Sequence, residues 1–230
     1  MKNYLVIGHS SGIGEAISQQ LSTNNFIIGT HYKKQPTHNN ININSHYLNV
    51  LDENIDLSYL PEKLDGLIYC PGAINLKPFA RIKPDDFIED YKLQVLGAIK
   101  IIQQCLPNLK NAENPSIVLF STVAVQTGFN FHSIVSSSKG AIEGLTKALA
   151  AEFAPKIRVN CIAPSITNTP LANSILNTPE KIDANAQRHP LKRVGQVEDI
   201  ANAAIFLLQQ ANWITGQILH VDGGMSSIKS

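Results

Sequence analysis

The sequence has few cysteines, and they form no recognisable group. Cys70, Cys105 and Cys161 are the only three in 230 residues, and they make neither a CxxC pair nor a Cys/His cluster with the spacing of metal ligands. Each lies in an apolar run, where a small buried side chain is expected. Three free thiols are typical of a reducing compartment, so we expect a cytoplasmic protein that binds no metal.

The sequence also has no excess of charge of one sign and no long apolar run. The 19 basic and 18 acidic residues give a net charge of +1, with no basic tail or acidic block. Nucleic acids are bound by clustered positive charge, and a membrane-spanning helix needs about 20 apolar residues in succession. The N-terminal residues lack the layout of a signal peptide. These absences disfavour both nucleic acid and membranes as partners.

Short apolar runs alternate with longer amphipathic stretches along the chain. The expected strands are residues 4–7, 26–30, 46–50, 67–70, 117–120, 157–162 and 217–221, and the expected helices are 14–21, 85–106, 136–153 and 198–208. Buried strands separated by helices are typical of a parallel, doubly wound sheet. The prediction is a single α/β domain over residues 1–230, with a seven-stranded parallel sheet flanked by helices.

Two stretches interrupt this alternation. Residues 33–45 are rich in Asn, His, Gln and Pro, so we expect a loop where a crossover helix would normally lie. Residues 170–190 are polar and contain the breakers Thr178-Pro179 and His189-Pro190. We expect the part around 171–190 to be a mobile segment near the carboxyl ends of the strands, where ligands bind in such a sheet.

A glycine-rich turn joins the first strand to the first helix. It reads Gly8-His9-Ser10-Ser11-Gly12-Ile13-Gly14. Glycines at these places allow a tight turn, a close approach of the backbone to a pyrophosphate, and close packing of helix on sheet. The helix N-terminus would supply free N–H groups to the phosphates. Because the spacing is GxxxGxG, an ordinary strand–helix turn is the alternative, but its position directly after the first strand favours a dinucleotide site.

Acidic residues are absent between Glu15 and Asp52. A protein that binds NAD usually has an acid at the end of the second strand, which holds the ribose 2′-hydroxyl. Here that strand ends in Thr30-His31-Tyr32-Lys33-Lys34, where His31 and Lys33 could contact a 2′-phosphate that a carboxylate would repel. The lysines could also belong to a solvated loop. The missing acid favours NADP(H) as the cofactor.

With these residues the chain resembles the short-chain dehydrogenase/reductase family, and within it the reductases of the 3-oxoacyl-carrier-protein type. The likeness extends from residue 3 to about 225 and is carried by the glycine-rich turn, Arg158-Val159-Asn160, residues 163–170, 190–195, 198–201, 215–217 and Val221-Asp222-Gly223-Gly224. The resemblance implies a Rossmann-type fold. It also implies that the cofactor is contacted by Gly8, Ser10, Ser11, Gly12, Ile13, Gly14, Asn49, Val50, Cys70, Pro71, Gly72, Lys139, Pro164, Thr167 and Thr169.

The active-site positions depart from that family's pattern of Asn, Ser, Tyr and Lys. The lysine aligns with Lys139, but Val135 stands four residues earlier, in the place of the proton-donating tyrosine. The resemblance implies that Lys139 holds the nicotinamide ribose. Thr122 replaces the serine and either binds a substrate carbonyl or simply ends a strand. Gln94 replaces the asparagine and either binds water or a backbone carbonyl, or is a packing contact.

His132 is a candidate substitute for the missing tyrosine. It lies seven residues before Lys139, the spacing at which the related enoyl-carrier-protein reductases place their tyrosine. A histidine can donate a proton near neutral pH. The alternative is a histidine that is hydrogen-bonded at a loop–helix junction.

Two functions fit these residues. The first is an NADP(H)-dependent oxidoreductase that reduces a carbonyl, or an activated double bond, of a small or acyl-type substrate, and Lys139 and His132 favour it. The second is a catalytically silent NADP(H)-binding protein, such as a sensor or an oligomer subunit, and the loss of the tyrosine favours it.

An oligomer is also expected. Residues 85–106 and 136–153 resemble the two helices that pair across the family's dimer interface. Small and apolar residues follow one helix face at Ala141, Leu145, Ala148 and Leu149, although the same pattern could serve the chain's own core. The expectation is a homodimer or homotetramer with twofold symmetry.

Overall fold

The computed structural model describes residues 1–36 and 40–229, whose strands form a parallel sheet. The strands are β1 Asn3–Ile7, β2 Phe26–His31, β3 Ile43–Tyr47, β4 Gly66–Tyr69, β5 Ser116–Phe120, β6 Arg158–Pro164 and β7 Ile218–Val221. Their order across the sheet is β3-β2-β1-β4-β5-β6-β7, and every neighbouring pair is parallel. The predicted seven-stranded, doubly wound α/β fold is confirmed.

Helices connect most of these strands. They are α1 Gly12–Leu21, α2 Pro84–Tyr91, α3 Gly97–Asn111, α4 Ala124–Thr127, α5 Ser133–Phe153, α6 Pro179–Gln187 and α7 Val197–Gln209, with 3₁₀ turns at Phe79–Arg81 and Pro170–Ala172. A π-helical turn, Lys92–Leu96, joins α2 to α3. The predicted helix 85–106 is therefore one continuous helical stretch with a bulge. Bulges of this kind are frequent at functional sites, and this one carries Gln94.

Alternate residues of the central strands face opposite layers of helices. Leu5 and Ile7 belong to a core cluster with residues of α3 and α5, whereas Tyr4 and Val6 belong to a cluster with residues of α1 and α7. A strand buried on both faces needs a continuous apolar run, which is the pattern that the sequence shows. Polar side chains are consequently concentrated where the strands end.

The sheet reverses its winding direction beside β1. This strand pairs with β2 on one side and with β4 on the other. Connections therefore leave in opposite directions, and a crevice opens outside the carboxyl end of β1, where ligands bind in sheets of this type. The glycine-rich turn 8–14 lies at this crevice.

The third strand lies three residues before its predicted position. We expected residues 46–50, but the strand is Ile43–Tyr47. It is the edge strand, where polar side chains such as Asn44 are tolerated because one side of the strand has no strand neighbour. Leu48 and Val50 look like strand residues but pack into the core after the strand has ended. The predicted loop 33–45 thus ends at Asn42, and its residues 37–39 lie outside the described part of the chain.

The segment expected to be mobile contains regular structure. Helix α6 begins at Pro179, and the Thr178 hydroxyl accepts a hydrogen bond from the Lys181 N–H. Thr178-Pro179 therefore begins a helix instead of interrupting the chain, because proline is favourable in the first helical turn. The mobility of residues 171–190 stays a prediction.

The helix face expected at a subunit contact is partly used by the chain itself. Ala141, Leu145 and Leu149 pack against the core cluster beneath α5, whereas Ala148 is exposed. The homo-oligomer stays a prediction.

Arg158 anchors the C-terminal end of α7. Its buried guanidinium donates hydrogen bonds to the carbonyl oxygens of Leu207 at 2.6 Å, Leu208 at 3.0 Å and Ala211 at 3.0 Å. The last carbonyls of a helix have no donors within the helix. One side chain from β6 thereby satisfies two of them, together with the Ala211 carbonyl just beyond the helix, and ties α7 to the sheet.

We predict that Arg158→Met lowers the free energy of unfolding by about 2–4 kcal/mol, because buried carbonyls would lose their donors. Urea unfolding followed by circular dichroism measures this change. Arg81→Met removes an exposed arginine and should cost less than about 0.5 kcal/mol. An Arg158→Met protein as stable as the wild type would contradict the anchoring role.

Candidate active site

A largely apolar cavity of about 330 Å³ opens at the carboxyl edge of the sheet. Gln94, Thr122, His132 and Lys139 all line it, although they come from four separate segments of the chain. The parallel sheet brings them together because the carboxyl ends of its strands meet at one edge. The four predicted catalytic residues are thus near one another in space.

Lys139 is buried in this cavity, with 9% of its surface exposed. Its Nζ donates a hydrogen bond to the carbonyl oxygen of Phe120, the last residue of β5, at 2.8 Å. Burial lowers the pKa of Lys139 to about 8, and nearby Cys161, Asp90 and Cys70 oppose this shift. Burial raises the pKa of both thiols to about 12, so they are neutral near pH 8. The carboxylate of Asp90 is therefore the effective counter-charge.

A buried carboxylate orients Gln94. The Nε2 of Gln94 donates to Asp90 Oδ2 at 2.7 Å, and Asp90 Oδ1 accepts from Asn75 Nδ2 at 3.2 Å. Asp90 and Gln94 are 2% and 1% exposed. With Nε2 directed at Asp90, the opposite amide atom, Oε1, is buried and has no hydrogen-bond partner among the described residues.

Gly72 leaves a gap between this oxygen and the lysine. A carbon placed as a Cβ on Gly72 would lie 3.4 Å from Gln94 Oε1 and 3.8 Å from Lys139 Nζ. A buried acceptor without a partner costs about 1–3 kcal/mol. The space beside Gly72 therefore suits a ligand hydroxyl or a water molecule that donates to Gln94.

His132 and Thr122 each retain a hydrogen-bonding atom for a ligand. His132 Nδ1 lies 2.8 Å from the carbonyl oxygen of Asn130, which can only accept, so Nδ1 carries a proton and Nε2 is left over. Thr122 Oγ1 accepts from the Ala124 N–H at 3.3 Å, which leaves its hydroxyl proton to donate. Val135 is buried in the same cavity wall and offers no exchangeable proton.

The glycine-rich turn has the backbone geometry of a phosphate cradle. Gly8 and Gly12 have φ angles of +80° and +57°, in the left-handed region that favours glycine. A Cβ on Gly14 would overlap the carbonyl oxygen of Gly8. The side chain of Ser11, the N-cap residue, makes no capping hydrogen bond to the first turn of α1. Ser10 lies between Gly8 and Gly12, and the N–H groups at the start of α1 can donate hydrogen bonds to an anion.

The predicted contacts to a 2′-phosphate lie next to this turn. The Gly8 N–H donates to the carbonyl oxygen of Thr30 near the end of β2, at 3.1 Å. His31 follows, with Nδ1 3.0 Å from Ser45 Oγ on β3. Lys33 is exposed, and its Nζ lies 5.7 Å from the centre of the neighbouring tyrosine ring.

The other predicted cofactor residues surround the same crevice. Those that line the cavity are Ile13, Cys70, Gly72, Lys139, Pro164, Thr167 and Thr169. Pro71 packs against Gly8, because a carbon placed as a Cβ on Gly8 would lie 3.5 Å from the proline ring. Asn49 follows β3 and donates to Asp52 Oδ1 at 2.6 Å. The side chain of Val50 packs in the core, and a cofactor contact there stays a prediction.

Sequence reasoning missed three polar residues: Asp90, which contacts the cavity residue Gln94, and the pair Ser165 and His189. Asp90 lies one helical turn before Gln94, a spacing that could have pointed to their contact. Ser165 Oγ lies 2.8 Å from His189 Nε2, and His189 Nδ1 lies 2.8 Å from the carbonyl oxygen of Asn185. Ser165 and His189 both line the cavity, but no local pattern connects residues so far apart.

Across residues 1–36 and 40–229, no group of three or more His, Cys, Asp or Glu residues could hold a metal ion. No helix in these ranges has the length and apolar composition needed to cross a membrane.

Comparisons with known proteins identify the family. A model described as enoyl-(acyl carrier protein) reductase matches residues 53–226. A tropinone reductase homologue of Arabidopsis thaliana is 38% identical over 166 residues, which are 71% of this chain but only 54% of that relative. A second tropinone reductase homologue of Arabidopsis thaliana is 31% identical over 243 residues, covering 98% of this chain and 91% of that relative. The chain belongs to the short-chain dehydrogenase/reductase family.

A solved structure agrees with this assignment. The structure of ElxO with NADP bound has a TM-score of 0.87 to this chain and is 26% identical in sequence, with 99% of each chain covered. The sequence resemblance to the family is therefore confirmed over nearly the whole chain.

We predict that Asp90→Asn lowers the pKa of Lys139 below about 8, because the substitution removes the anion that stabilises the ammonium. An NMR titration of lysines labelled with ¹³C at the ε position measures this, with Lys139→Met assigning the signal. Glu89→Gln removes an exposed carboxylate from the same helix and should leave the midpoint unchanged. An unshifted Lys139 signal in Asp90→Asn would show that the carboxylate does not act on the lysine.

Proposed function

We propose that this chain is an NADP(H)-dependent oxidoreductase that reduces a carbonyl group of a small or acyl-type substrate. The observation that carries the proposal is the convergence of Gln94, Thr122, His132 and Lys139 on one cavity beside the glycine-rich turn. The tropinone reductase homologues and the NADP-bound ElxO structure support the reaction class and the cofactor. The enoyl reductase family description supports an activated double bond as the second kind of acceptor.

The residues present suit a dinucleotide. The glycine-rich turn and the N-terminus of α1 would hold the pyrophosphate, and His31 and Lys33 would hold the 2′-phosphate. The nicotinamide ribose would lie beside Lys139 and Gly72, where the unpartnered oxygen of Gln94 needs a donor. When bound, the dinucleotide supplies the hydride for reduction.

The chain's own residues supply orientation and the proton. Thr122 donates its free hydroxyl proton to the substrate carbonyl oxygen and so fixes its position. Protonated His132 gives the Nε2 proton to that oxygen as negative charge develops on it. The Asn130 carbonyl holds the imidazole through Nδ1–H before and after the transfer. Lys139 holds the ribose, and the carboxylate of Asp90 favours the charged form of the lysine.

We predict that NADPH binds about tenfold more tightly than NADH, since charge-assisted contacts to the 2′-phosphate contribute ~1.4 kcal/mol. Lys33→Ala should narrow this gap, and Lys34→Ala serves as the matched control. Fluorescence titration measures both affinities. Equal affinities of the wild type for NADPH and NADH would contradict the assignment of the cofactor.

His132→Ala should lower turnover by about 10²–10⁴-fold, the usual contribution of a positioned acid, while NADPH affinity changes only a few-fold. His132→Gln should behave alike, because glutamine can replace the hydrogen bond to Asn130 but not the acid. Lys139→Ala should weaken both turnover and NADPH binding. If His132→Ala turns over as fast as the wild type, another group donates the proton.

A second candidate function rests on Val135. With an aliphatic side chain where the family has its proton donor, the chain could bind NADP(H) without catalysing a reaction. Tests of NADPH oxidation with ketones, quinones and enoyl thioesters separate the two functions. Tight NADPH binding without turnover on any of them would favour the silent binder.

A further inference from the structure

The lining residues of the candidate cavity that can carry a charge are all basic. Its lining residues include Lys139, Arg188, His132 and His189, and among the described residues that line it there is no Asp or Glu. A cleft lined by one sign of charge attracts ligands of the opposite sign, the more so when its walls are apolar. The carboxylate of Asp90 already offsets the charge of Lys139, so the attraction of this lining for an anion falls to Arg188.

Three of these four side chains already have partners. Lys139 donates to the Phe120 carbonyl oxygen. His189 has contacts at both ring nitrogens, with Ser165 and with the Asn185 carbonyl oxygen. His132 has its Nδ1 at the Asn130 carbonyl oxygen and is assigned above to proton transfer.

Arg188 differs from the other three. Its guanidinium has neither a hydrogen bond nor an ion pair with any described residue. Its contact is with the ring of Phe129, whose centre lies 5.3 Å from the guanidinium carbon. A guanidinium stacked on an aromatic ring keeps its N–H groups available at the edge, in the fork that matches two oxygens of a carboxylate or phosphate.

Phe129 connects this cation to the proposed proton donor. The ring centres of Phe129 and His132 are 5.4 Å apart. Arg188 and His132 therefore both lie near the ring of Phe129, and all three residues line the same cavity. The neighbouring walls, which include Ile74 and Leu171, are apolar and would contact the carbon chain between the two polar ends.

We infer that Arg188 binds an oxyanion of the substrate, a carboxylate or a phosphate, so that the carbonyl compound reduced by this chain is an acid. The conclusion that the reduced compound is an acid rests on the proposed function. The binding of an oxyanion by Arg188 does not depend on it. The competing explanation is that Arg188 only packs on Phe129 and stabilises the C-terminal end of α6.

Calorimetric titration of unreactive probes tests the binding step. Hexanoate, hexyl phosphate and hexanamide are titrated into the full chain with and without NADPH. We expect one or both anions to bind about tenfold more tightly than the amide, and the tighter anion identifies the group that Arg188 recognises. Arg188→Gln should abolish this preference and Arg188→Lys should keep part of it, because lysine retains the charge but not the fork.

Lys181→Gln removes another cation of α6 that does not line the cavity, and it should retain the wild-type preference. The inference is overturned if the wild type binds anions and hexanamide equally, or if the preference survives in Arg188→Gln.

Turnover separates this inference from the proposed function. NADPH oxidation is measured with a keto acid and with its methyl ester, and Arg188→Gln should lower the acid-to-ester ratio of kcat/KM about tenfold. If the chain reduces carbonyls but this ratio is the same in both proteins, the inference fails and the proposed function stands. If no carbonyl is reduced but anion binding depends on Arg188, the proposed function fails and the binding site stands.

Discussion

The hydrogen bond from Lys139 Nζ to the carbonyl oxygen of Phe120 is the contact around which the polar part of the site is arranged. A buried ammonium needs an acceptor and a counter-charge, because it has lost most of its water. The end of β5 supplies the acceptor, and Asp90 supplies the charge beside Gln94. Because burial brings the pKa of Lys139 to about 8, its protonation can respond to small changes in its surroundings near physiological pH.

A π turn carries the glutamine that stands in the position of the family's asparagine. The extra residue in such a turn frees backbone carbonyls from the helical pattern, and here the Tyr69 hydroxyl donates to the Leu93 carbonyl oxygen at 2.6 Å. The longer side chain of Gln94 is held at its amide nitrogen by Asp90. Asn75, Asp90 and Gln94 thus form one connected polar group, which is the expected form for a buried polar substitution.

Val135 lies in the cavity wall, in the place of the family's tyrosine. Val135 lies one helical turn before Lys139 on the same face of α5, whereas His132 precedes the first residue of this helix. His132 is the N-cap residue of α5, so its ring is held by the loop before the helix. The cavity consequently has an apolar patch next to the lysine and basic groups farther out, which suits a ligand with a carbon chain and an acidic end.

The sequence by itself determined the layered fold and the position of the crevice. A continuous apolar run such as residues 4–7 indicates a strand that is buried on both faces. The glycines of residues 8–14 permit backbone angles that few other residues adopt. The edge strand β3 was misplaced because its polar residues carry no such signal, whereas the core residues that follow it do. Only the tertiary structure decided that Asp90 is buried against Gln94, that Ser165 contacts His189, and that Arg188 has no acidic partner among the described residues. The burial and pairing of these side chains depend on which distant segments pack together. A local pattern in the sequence does not predict such contacts.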